Sequence, residues 1–468
     1  MSRQASLSSH DQRYQETLDW IYSWIDFSMK RHVDDKHRFF KLDRMNRLME
    51  LLGHPERQYP CVHVAGTKGK GSTASLIAAA LQAAGYKVGL YTSPHLEDFR
   101  ERITINGEMI SEVDVIRLAD ELRPLTEIVP ETTTFELTTA LAFQYYFQKK
   151  IDIAVIEVGL GGRLDATNVI DPLVSVITSI SFDHMSVLGS TLQEIAAEKG
   201  GIIKPGRPVV ISPQKEEAAR TLREIALERE AILIQTDQEY ESQALRHDLK
   251  TQSFTVASKL KKVKGRNINT RTPLKLTIPL LGAHQIENAC TAVAALDQIR
   301  KAGFHLTRKD IQNGFNQVVW PARFEILREN PPVIIDSAHN GDSMERLAAT
   351  LEEYFPNRPF ILVFGASEDK SMGDMLRAIL PKVELVITTQ SIHPRATSAE
   401  DLAAIVGEYT KNVIPVHPAE AALQKALELA GDSRGILVTG SIFIAAAAKA
   451  IWNANNQNRL EIFLVKNE

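Results

Sequence analysis

The sequence is short of several things, and each shortage removes a class of explanation. Two cysteines, Cys61 and Cys290, are all that the 468 residues contain. They lie in apolar or helical contexts without metal-ligand spacing, which leaves buried free thiols rather than a disulfide framework or a zinc site. Neither sign of charge is in excess: 54 basic against 58 acidic residues give a formal charge of -4. There is thus no global attraction to nucleic acid or to an anionic membrane, and an anionic ligand has to be held by a local site. The N-terminal MSRQASLSSHDQRYQ carries no apolar leader, and the most apolar stretch, ILVTGSIFIAAAA, is too short to span a bilayer and is interrupted by hydroxyls. No internal repeat or low-complexity tract stands out. A cytoplasmic, reduced, monomeric protein with no nucleic-acid or membrane partner is expected.

What is present is a long alternation of apolar runs and helical patterns, in a chain too long for one core. CVHVAG, a glycine-rich turn and TASLIAAALQAAGYK form a β-α unit from Cys61, with Gly85 marking the helix end. IDIAVIEVG, VSVITSI, PVVIS and AILIQT follow, separated by TLQEIAAEKGGII and EEAARTLREIALERE. The fold class is therefore α/β, with a doubly wound, mostly parallel sheet in an N-terminal domain. VIIDSA, FILVFGAS, ELVITT and ILVTGS, again alternating with helices, predict a smaller Rossmann-like α/β domain at the C-terminal end. HQIENACTAVAALDQIRKAG reads as a long helix closing the first domain, and the proline in NQVVWPAR marks the boundary. The junction is placed near Val318, giving domains 1–318 and 319–468. Between residues 236 and 275 a basic cluster, Lys259, Lys261, Lys262, Lys264, Arg266 and Arg271, has no interleaved aromatics and reads as a solvated hairpin rim rather than a nucleic-acid patch.

The turn Gly66-Thr67-Lys68-Gly69-Lys70-Gly71-Ser72 supplies what a nucleoside triphosphate needs. Its glycines let backbone amides approach, Lys70 provides a cation, Ser72 a hydroxyl for magnesium, and the following helix aims its N-terminus at the anion. Thr67, Gly69 and Gly71 complete the loop. The spacing departs from the common phosphate-loop pattern, because Gly71 stands where a hydroxyl residue usually follows the lysine. Glu157 ends the apolar strand IDIAVIE at the edge where ligands bind in open α/β sheets, and a carboxylate there suits a hard cation. His184 is read as ending another such strand, after Asp183. Lys199, fifteen residues on, has a surface charge as its default reading.

The loop resembles that of the folylpolyglutamate synthase and dihydrofolate synthase family, relatives of the cell-wall Mur ligases, where it usually reads GTNGKGS; here Lys68 replaces the asparagine. The resemblance continues through TSPHLEDFRERI (92–103), TTTFE (132–136), EVGLGGRLDATN (157–168), SFDHMSVLGST (181–191), AAEKGGIIKPG (196–206), GAHQIENA (282–289), WPARFE (320–325), DSAHN (336–340) and HPRATSAEDL (393–402). It implies an ATP-dependent ligase that joins L-glutamate to folate, and to dihydropteroate as well, through an acyl phosphate.

By the same resemblance Lys199 becomes a carbamate, and Ser72, Ser93, Glu157, His184 and the modified Lys199 hold magnesium, in two ions. Asn288, Arg323 and Asp336 are expected on the adenine side of a nucleotide sitting between the domains. Thr133, Phe135, Asp165 and Ala166 are expected on the pterin and aminobenzoyl side, with the loop from Ser93 to Ile103 closing over the ring. His339 and Ser441 are expected to face glutamate, with His339 nominated as general base because its ordinary pKa lies near neutrality. Read from the residues alone, Phe135 is core packing, Asp165 a turn residue, and Ser441 as readily a structural turn. Three other readings are a ligase that only extends folates, a Mur-type cell-wall ligase, and a phosphate-loop switch or motor that makes no amide.

Overall fold

The computed structural model describes residues 9–24, 41–259, 261–263, 266–268, 272–368 and 372–465. The chain divides into two compact units: Met1–Ser242 with Val256–Leu274 and Glu287–Val318, and Gln243–Thr255 with Lys275–Ile286 and Val319–Glu468.

In the first unit, strands β1 (Cys61–Ala65), β2 (Val88–Tyr91), β3 (Ile103–Ile105), β4 (Glu108–Met109), β5 (Ile153–Glu157), β6 (Val174–Ile177), β7 (Pro208–Ile211) and β8 (Ile232–Gln235) form one sheet in the order β4-β3-β2-β5-β1-β6-β7-β8. The six strands from β2 to β8 in that order run parallel, and β3 and β4 add an antiparallel edge. Strands β1, β5 and β6 are buried along their whole length, as central strands of a parallel sheet are, and even the polar His63 and Ser175 within them are enclosed. Register sets the active edge: Val64 lies beside Glu157 and Ala65 beside Ile177. The turn that leaves β1 and the carboxylate that ends β5 therefore emerge at the same end of the sheet.

The Lys70–Ala83 helix behind that turn is rich in alanine and is buried over most of its length. Its small side chains let the Arg308–Gln317 helix approach so closely that a Cβ on Gly314 would stand 2.4 Å from the carbonyl oxygen of Ala79. An N-terminal helix that the sequence reading did not foresee, Ser9–Ser23, braces the Thr134–Lys149 helix, where Thr134 Oγ1 donates to the Ile21 carbonyl at 3.0 Å. Cys61 and Cys290 are both buried and free, and burial pushes each thiol up to about 12.

Strands β9 (Tyr240–His247), β10 (Gln252–Ser258) and β13 (Leu274–Ile278) form a three-stranded sheet, and β11 (Lys261–Val263) pairs with β12 (Arg266–Ile268) in an antiparallel hairpin. Lys261, Lys262 and Arg266 of the basic cluster fall on this hairpin, and Lys264 and Arg271 lie outside the described residues. Of its side chains only that of Lys259 lies within the described residues, and it donates to the Asp237 carbonyl.

In the second unit, β14 (Glu325–Glu329), β15 (Pro332–Ile335), β16 (Phe360–Phe364), β17 (Val383–Thr388), β18 (Val413–Pro415) and β19 (Gly435–Thr439) form a sheet in the order β14-β15-β19-β16-β17-β18. Only β14 is antiparallel. The last strand in sequence is thus inserted between β15 and β16, so the DSAHN and VTGS segments leave neighbouring strands at one edge. Among the described residues no helix is long and apolar enough to cross a membrane.

The helix contact at Gly314 makes a test of packing. Alanine in a helix interior is worth about 1 kcal/mol over glycine, but overpacking against an immovable backbone costs about 1–3 kcal/mol. Gly314→Ala is therefore expected to lower the urea midpoint of the first unit, whereas Gly407→Ala, whose new methyl meets nothing within 4 Å, should leave stability unchanged or raised.

Candidate active site

The glycine turn after β1 is held in place from both sides. Gly66 has φ +151° and a Cβ there would fall 1.8 Å from Thr178 Oγ1, while Gly69 has φ +85° and a Cβ would fall 2.2 Å from Asn288 Oδ1. No side chain fits at either position. The Thr67 and Lys68 amides donate to the Ser179 carbonyl at 2.9 and 3.1 Å, and Thr67 Oγ1 donates to the Ser181 carbonyl at 3.1 Å. Gly69 caps the Lys70–Ala83 helix without a side-chain cap, so the amides of the first turn point at whatever occupies the loop.

Around this turn the structure gathers Lys70, Glu157, Ser93 and Lys199. Lys70 Nζ lies 3.8 Å from Glu157 Oε1, and the Ser93 amide donates to Glu157 Oε2 at 3.2 Å. Ser72 is buried in the first helical turn. Lys199 is buried rather than on the surface, with 4% of its area exposed, because the Leu192–Gly200 helix turns this position inward. Its Nζ donates to the Gly66 carbonyl at 2.9 Å. Burial, reinforced by the charge of Lys70, pulls its pKa from 10.5 down to about 7.

His184 does not end a strand. The β6 ladder stops at Ile177, and the chain then turns across the phosphate loop, leaving His184 at φ +50° ahead of a short helical turn, Met185–Leu188. Its ring is partly exposed and its amide donates to Asp183 Oδ1 at 3.0 Å. Asp183 Oδ2 in turn accepts from Lys68 Nζ at 3.1 Å.

Among the described residues there is no group of three or more His, Cys, Asp or Glu side chains able to hold a metal by themselves. The donors that are present, the hydroxyls of Ser72 and Ser93 and the carboxylate of Glu157, are hard oxygens that suit magnesium completed by phosphate. Ser181 Oγ, buried beside the loop without a hydrogen-bond partner, is a further polar atom at this edge.

The residues expected on the pterin side have structural duties: Phe135 and Asp165 take the packing and turn places that their residue types suggested, and Thr133 has a capping role that the sequence reading did not assign. Thr133 is the N-cap of the Thr134–Lys149 helix: it accepts from the Glu136 amide at 3.2 Å while Glu136 Oε2 accepts from the Thr133 amide at 2.7 Å. TTTFE thus contains a capping box, a T-x-x-E signal present in the sequence. Glu136 also holds Arg44 Nε at 3.1 Å. Phe135 packs against Tyr91, with ring centroids 6.1 Å apart, and over Gly159, where a Cβ would strike it at 2.4 Å.

Asp165 is buried, and its oxygens accept from the Leu160 amide at 2.8 Å, the Thr167 amide at 3.0 Å and the Thr167 hydroxyl. Burial nevertheless raises its pKa against those bonds. Ala166 follows it, buried in the same turn. The Thr167 hydroxyl lies 2.8 Å from His63 Nε2, in the middle of β1. Since that hydroxyl donates to Asp165, His63 donates to it, and burial keeps His63 neutral by lowering its pKa. A histidine within an otherwise apolar strand was the signal available for this chain.

In the second unit, Asp336 accepts from the Phe324 and Ala338 amides, both at 2.7 Å, and Arg323 donates to Ser337 Oγ at 2.8 Å and to the Ala322 carbonyl at 3.0 Å. Both residues therefore stitch WPARFE to the end of β15. His339 Nδ1 lies 2.8 Å from the Ser337 carbonyl and must be its donor, which leaves Nε2 as the basic nitrogen. Asn340 caps the Gly341–Tyr354 helix, and Ser441 Oγ accepts from the Ile444 amide at 3.2 Å, a capping role.

Over residues 64–296 the chain matches the Mur ligase middle domain, and over residues 322–442 the Mur ligase glutamate ligase domain, which defines the class: a Mur-type ligase. It is 35% identical over 443 residues to the dihydrofolate synthase/folylpolyglutamate synthase of Bacillus subtilis (strain 168), a match covering 92% of this chain and 97% of that protein. The structure of Mycobacterium tuberculosis folylpolyglutamate synthase complexed with ADP is similar with a TM-score of 0.84 at 31% identity, covering 95% of this chain and 99% of that one. A folylpolyglutamate synthase complex with AMPPCP and folate gives 0.77 at 31% identity, with 93% and 98% covered. The chain belongs to the folylpolyglutamate synthase/dihydrofolate synthase family.

The burial of Lys199 fixes the sign of a pH dependence. Its folded pKa of about 7 lies below the ordinary 10.5, so between those values the unfolded chain binds more protons and stability rises with pH. In CO2-depleted buffer, Lys199→Met should be more stable than the parent by the widest margin below pH 7. The margin should shrink as the pH is raised towards 10, as measured by urea denaturation.

Proposed function

We propose that the protein is an ATP-dependent ligase that joins the amino group of L-glutamate to a folate carboxylate, and that it also makes dihydrofolate from dihydropteroate. The observation that carries this reading is the gathering of Lys70, Glu157 and the buried Lys199 at one glycine turn in a chain with a glutamate-ligase unit. Residues 1–318 are assigned the phosphate chemistry and residues 319–468 the handling of glutamate. A cytoplasmic monomer, with small molecules as its partners, completes the proposal.

A carboxylate resists attack by an amine, so activation as an acyl phosphate must come first. The loop amides of Gly69 and Gly71, with Lys70, seat the phosphates of ATP and neutralise the charge that gathers on the transferring group, while Thr67, its amide given to the Ser179 carbonyl, holds the loop in shape for them. Magnesium, when bound, adds Lewis-acid polarisation; Ser72, Ser93 and Glu157 would hold it, and His184 with Lys199 would hold a second ion. Lys199 suits that task as a carbamate. With its pKa near 7 the unprotonated amine is abundant; its lone pair bonds to the carbon of CO2, one N–H proton leaves, and an anionic oxygen replaces a cation. Asn288, packed on Gly69, with Arg323 and Asp336, is proposed to serve the nucleotide. His339 presents Nε2 to take the proton of the attacking amine, and Ser441 is proposed near the glutamate. No protein nucleophile is required.

For the acceptor, Thr133, Phe135, Asp165 and Ala166 are proposed to form the pterin side. Phe135 offers a ring face, and Asp165 a carboxylate whose remaining lone pairs can accept from a pterin amine. With ATP, magnesium, labelled glutamate and either dihydropteroate or tetrahydrofolate, the purified protein should give dihydrofolate in the first case and lengthened folate in the second. Dihydropteroate left unconverted beside an extended folate would reduce the assignment to extension alone. Asp165→Ala should cut dihydropteroate-dependent kcat/KM by roughly tenfold to a hundredfold, the worth of a charged hydrogen bond of about 1.5–3 kcal/mol, and folate extension by less. Equal losses would remove Asp165 from the pterin site.

A further inference from the structure

The phosphate loop carries two lysines with different destinations. Lys70, the first helical residue, turns towards Glu157, whereas Lys68 sends its Nζ to Asp183 Oδ2 at 3.1 Å, with only 14% and 9% of the two side chains exposed. This ion pair is the last of a row of ties between the loop and the segment after β6. The Thr67 and Lys68 amides bond to the Ser179 carbonyl, and Thr67 Oγ1 exchanges bonds with Ser181. From its other oxygen Asp183 accepts the His184 amide at 3.0 Å. His184 stands at φ +50°, a left-handed backbone state that is uncommon for a residue with a Cβ, although histidine enters it more readily than most.

We propose that Lys68 is a positioning residue: together with Asp183 it latches the phosphate loop to the His184 segment and so fixes His184 for the metal. The role of His184 rests on the proposed function above. The chain of cause is short. The Lys68 charge fixes the carboxylate of Asp183, that carboxylate fixes the His184 amide, and the amide fixes the left-handed turn from which the imidazole projects. A neutral side chain at 68 removes the Lys68 tie from a largely buried carboxylate, which is then freer to turn to water. The loop is thereby released from the His184 segment at its outer end. Because its charge is engaged by Asp183, Lys68 contributes little to holding the phosphates themselves, a task left to Lys70 and the loop amides.

The test uses the full chain with Lys68→Met, Lys68→Arg, Asp183→Asn and the Lys68→Met/Asp183→Asn double variant. In metal-free buffer, hydrogen exchange of the peptide spanning residues 180–188 should quicken to the same extent in Lys68→Met, Asp183→Asn and the double variant, and stay near the parent rate in Lys68→Arg. ADP affinity without metal should change by less than about threefold, while the magnesium concentration that half-saturates ADP binding should rise about tenfold, the loss usual when a group behind a metal ligand is removed. The double variant should be no worse than either single one. Unchanged exchange in Lys68→Met, or effects that multiply in the double variant, would overturn the latch. So would a loss of metal-free ADP affinity of about tenfold or more in Lys68→Met alone, which would make Lys68 a phosphate ligand. His184→Ala separates the two ideas: if it leaves the magnesium dependence untouched while the shared exchange effect persists, His184 is no metal ligand and the latch still stands.

Discussion

A polypeptide backbone can bind a triphosphate only if its amides are brought closer to the ligand than side chains allow, and in this protein two glycines meet that demand. Gly66 is pressed against Thr178 at the end of β6, and Gly69 against Asn288 on the Ala283–Lys301 helix. With the turn wedged between them, the first amides of the Lys70–Ala83 helix, the Lys70 ammonium and the Glu157 carboxylate acquire fixed places relative to one another. Lys199 closes the arrangement from inside the protein by donating to the Gly66 carbonyl. The turn is thus held by steric contact on two sides, by the hydrogen bond from Lys199 and by those it makes to Ser179 and Ser181, without help from a side-chain cap.

Several residues proposed to meet substrate already serve the fold. Thr133 caps a helix, Asp165 collects three hydrogen bonds from its own turn, Asp336 accepts two amides, and Ser441 caps the last helix. Such double employment fits a site that must be rigid before substrate arrives, since a carboxylate already oriented by amides needs no reordering on binding. It also means that removing one of these side chains disturbs both binding and local structure, so a loss of activity by itself assigns nothing.

Much of this was legible in the sequence, for reasons that differ by residue. The glycine turn and Glu157 could be placed because strand, turn and helix are local patterns, and the end of an apolar run is the end of a strand. His184 was misplaced because the apolar run VSVITSI continues beyond its hydrogen-bonded ladder; register with β1 and β7 ends it at Ile177, and no local pattern carries that information. From its residue type alone Lys199 had a surface charge as its default reading, because a lysine in a helix reveals nothing of the face it occupies until the neighbouring helix is in place; only the resemblance set it in the site. The capping box in TTTFE is local too, since Thr133 and Glu136 stand at the T-x-x-E spacing. The chain from His63 through Thr167 to Asp165 joins residues a hundred positions apart, and only the fold could disclose it.

The two buried thiols have a practical consequence. Cys61 and Cys290 are both enclosed, and with each held near 12 almost none is thiolate at neutral pH, which is the form that reacts with alkylating dyes and oxidants. A single cysteine introduced on an exposed loop would therefore be the only fast-reacting sulfur in the folded chain. Fluorophores or spin labels could be attached one at a time without first removing the native cysteines.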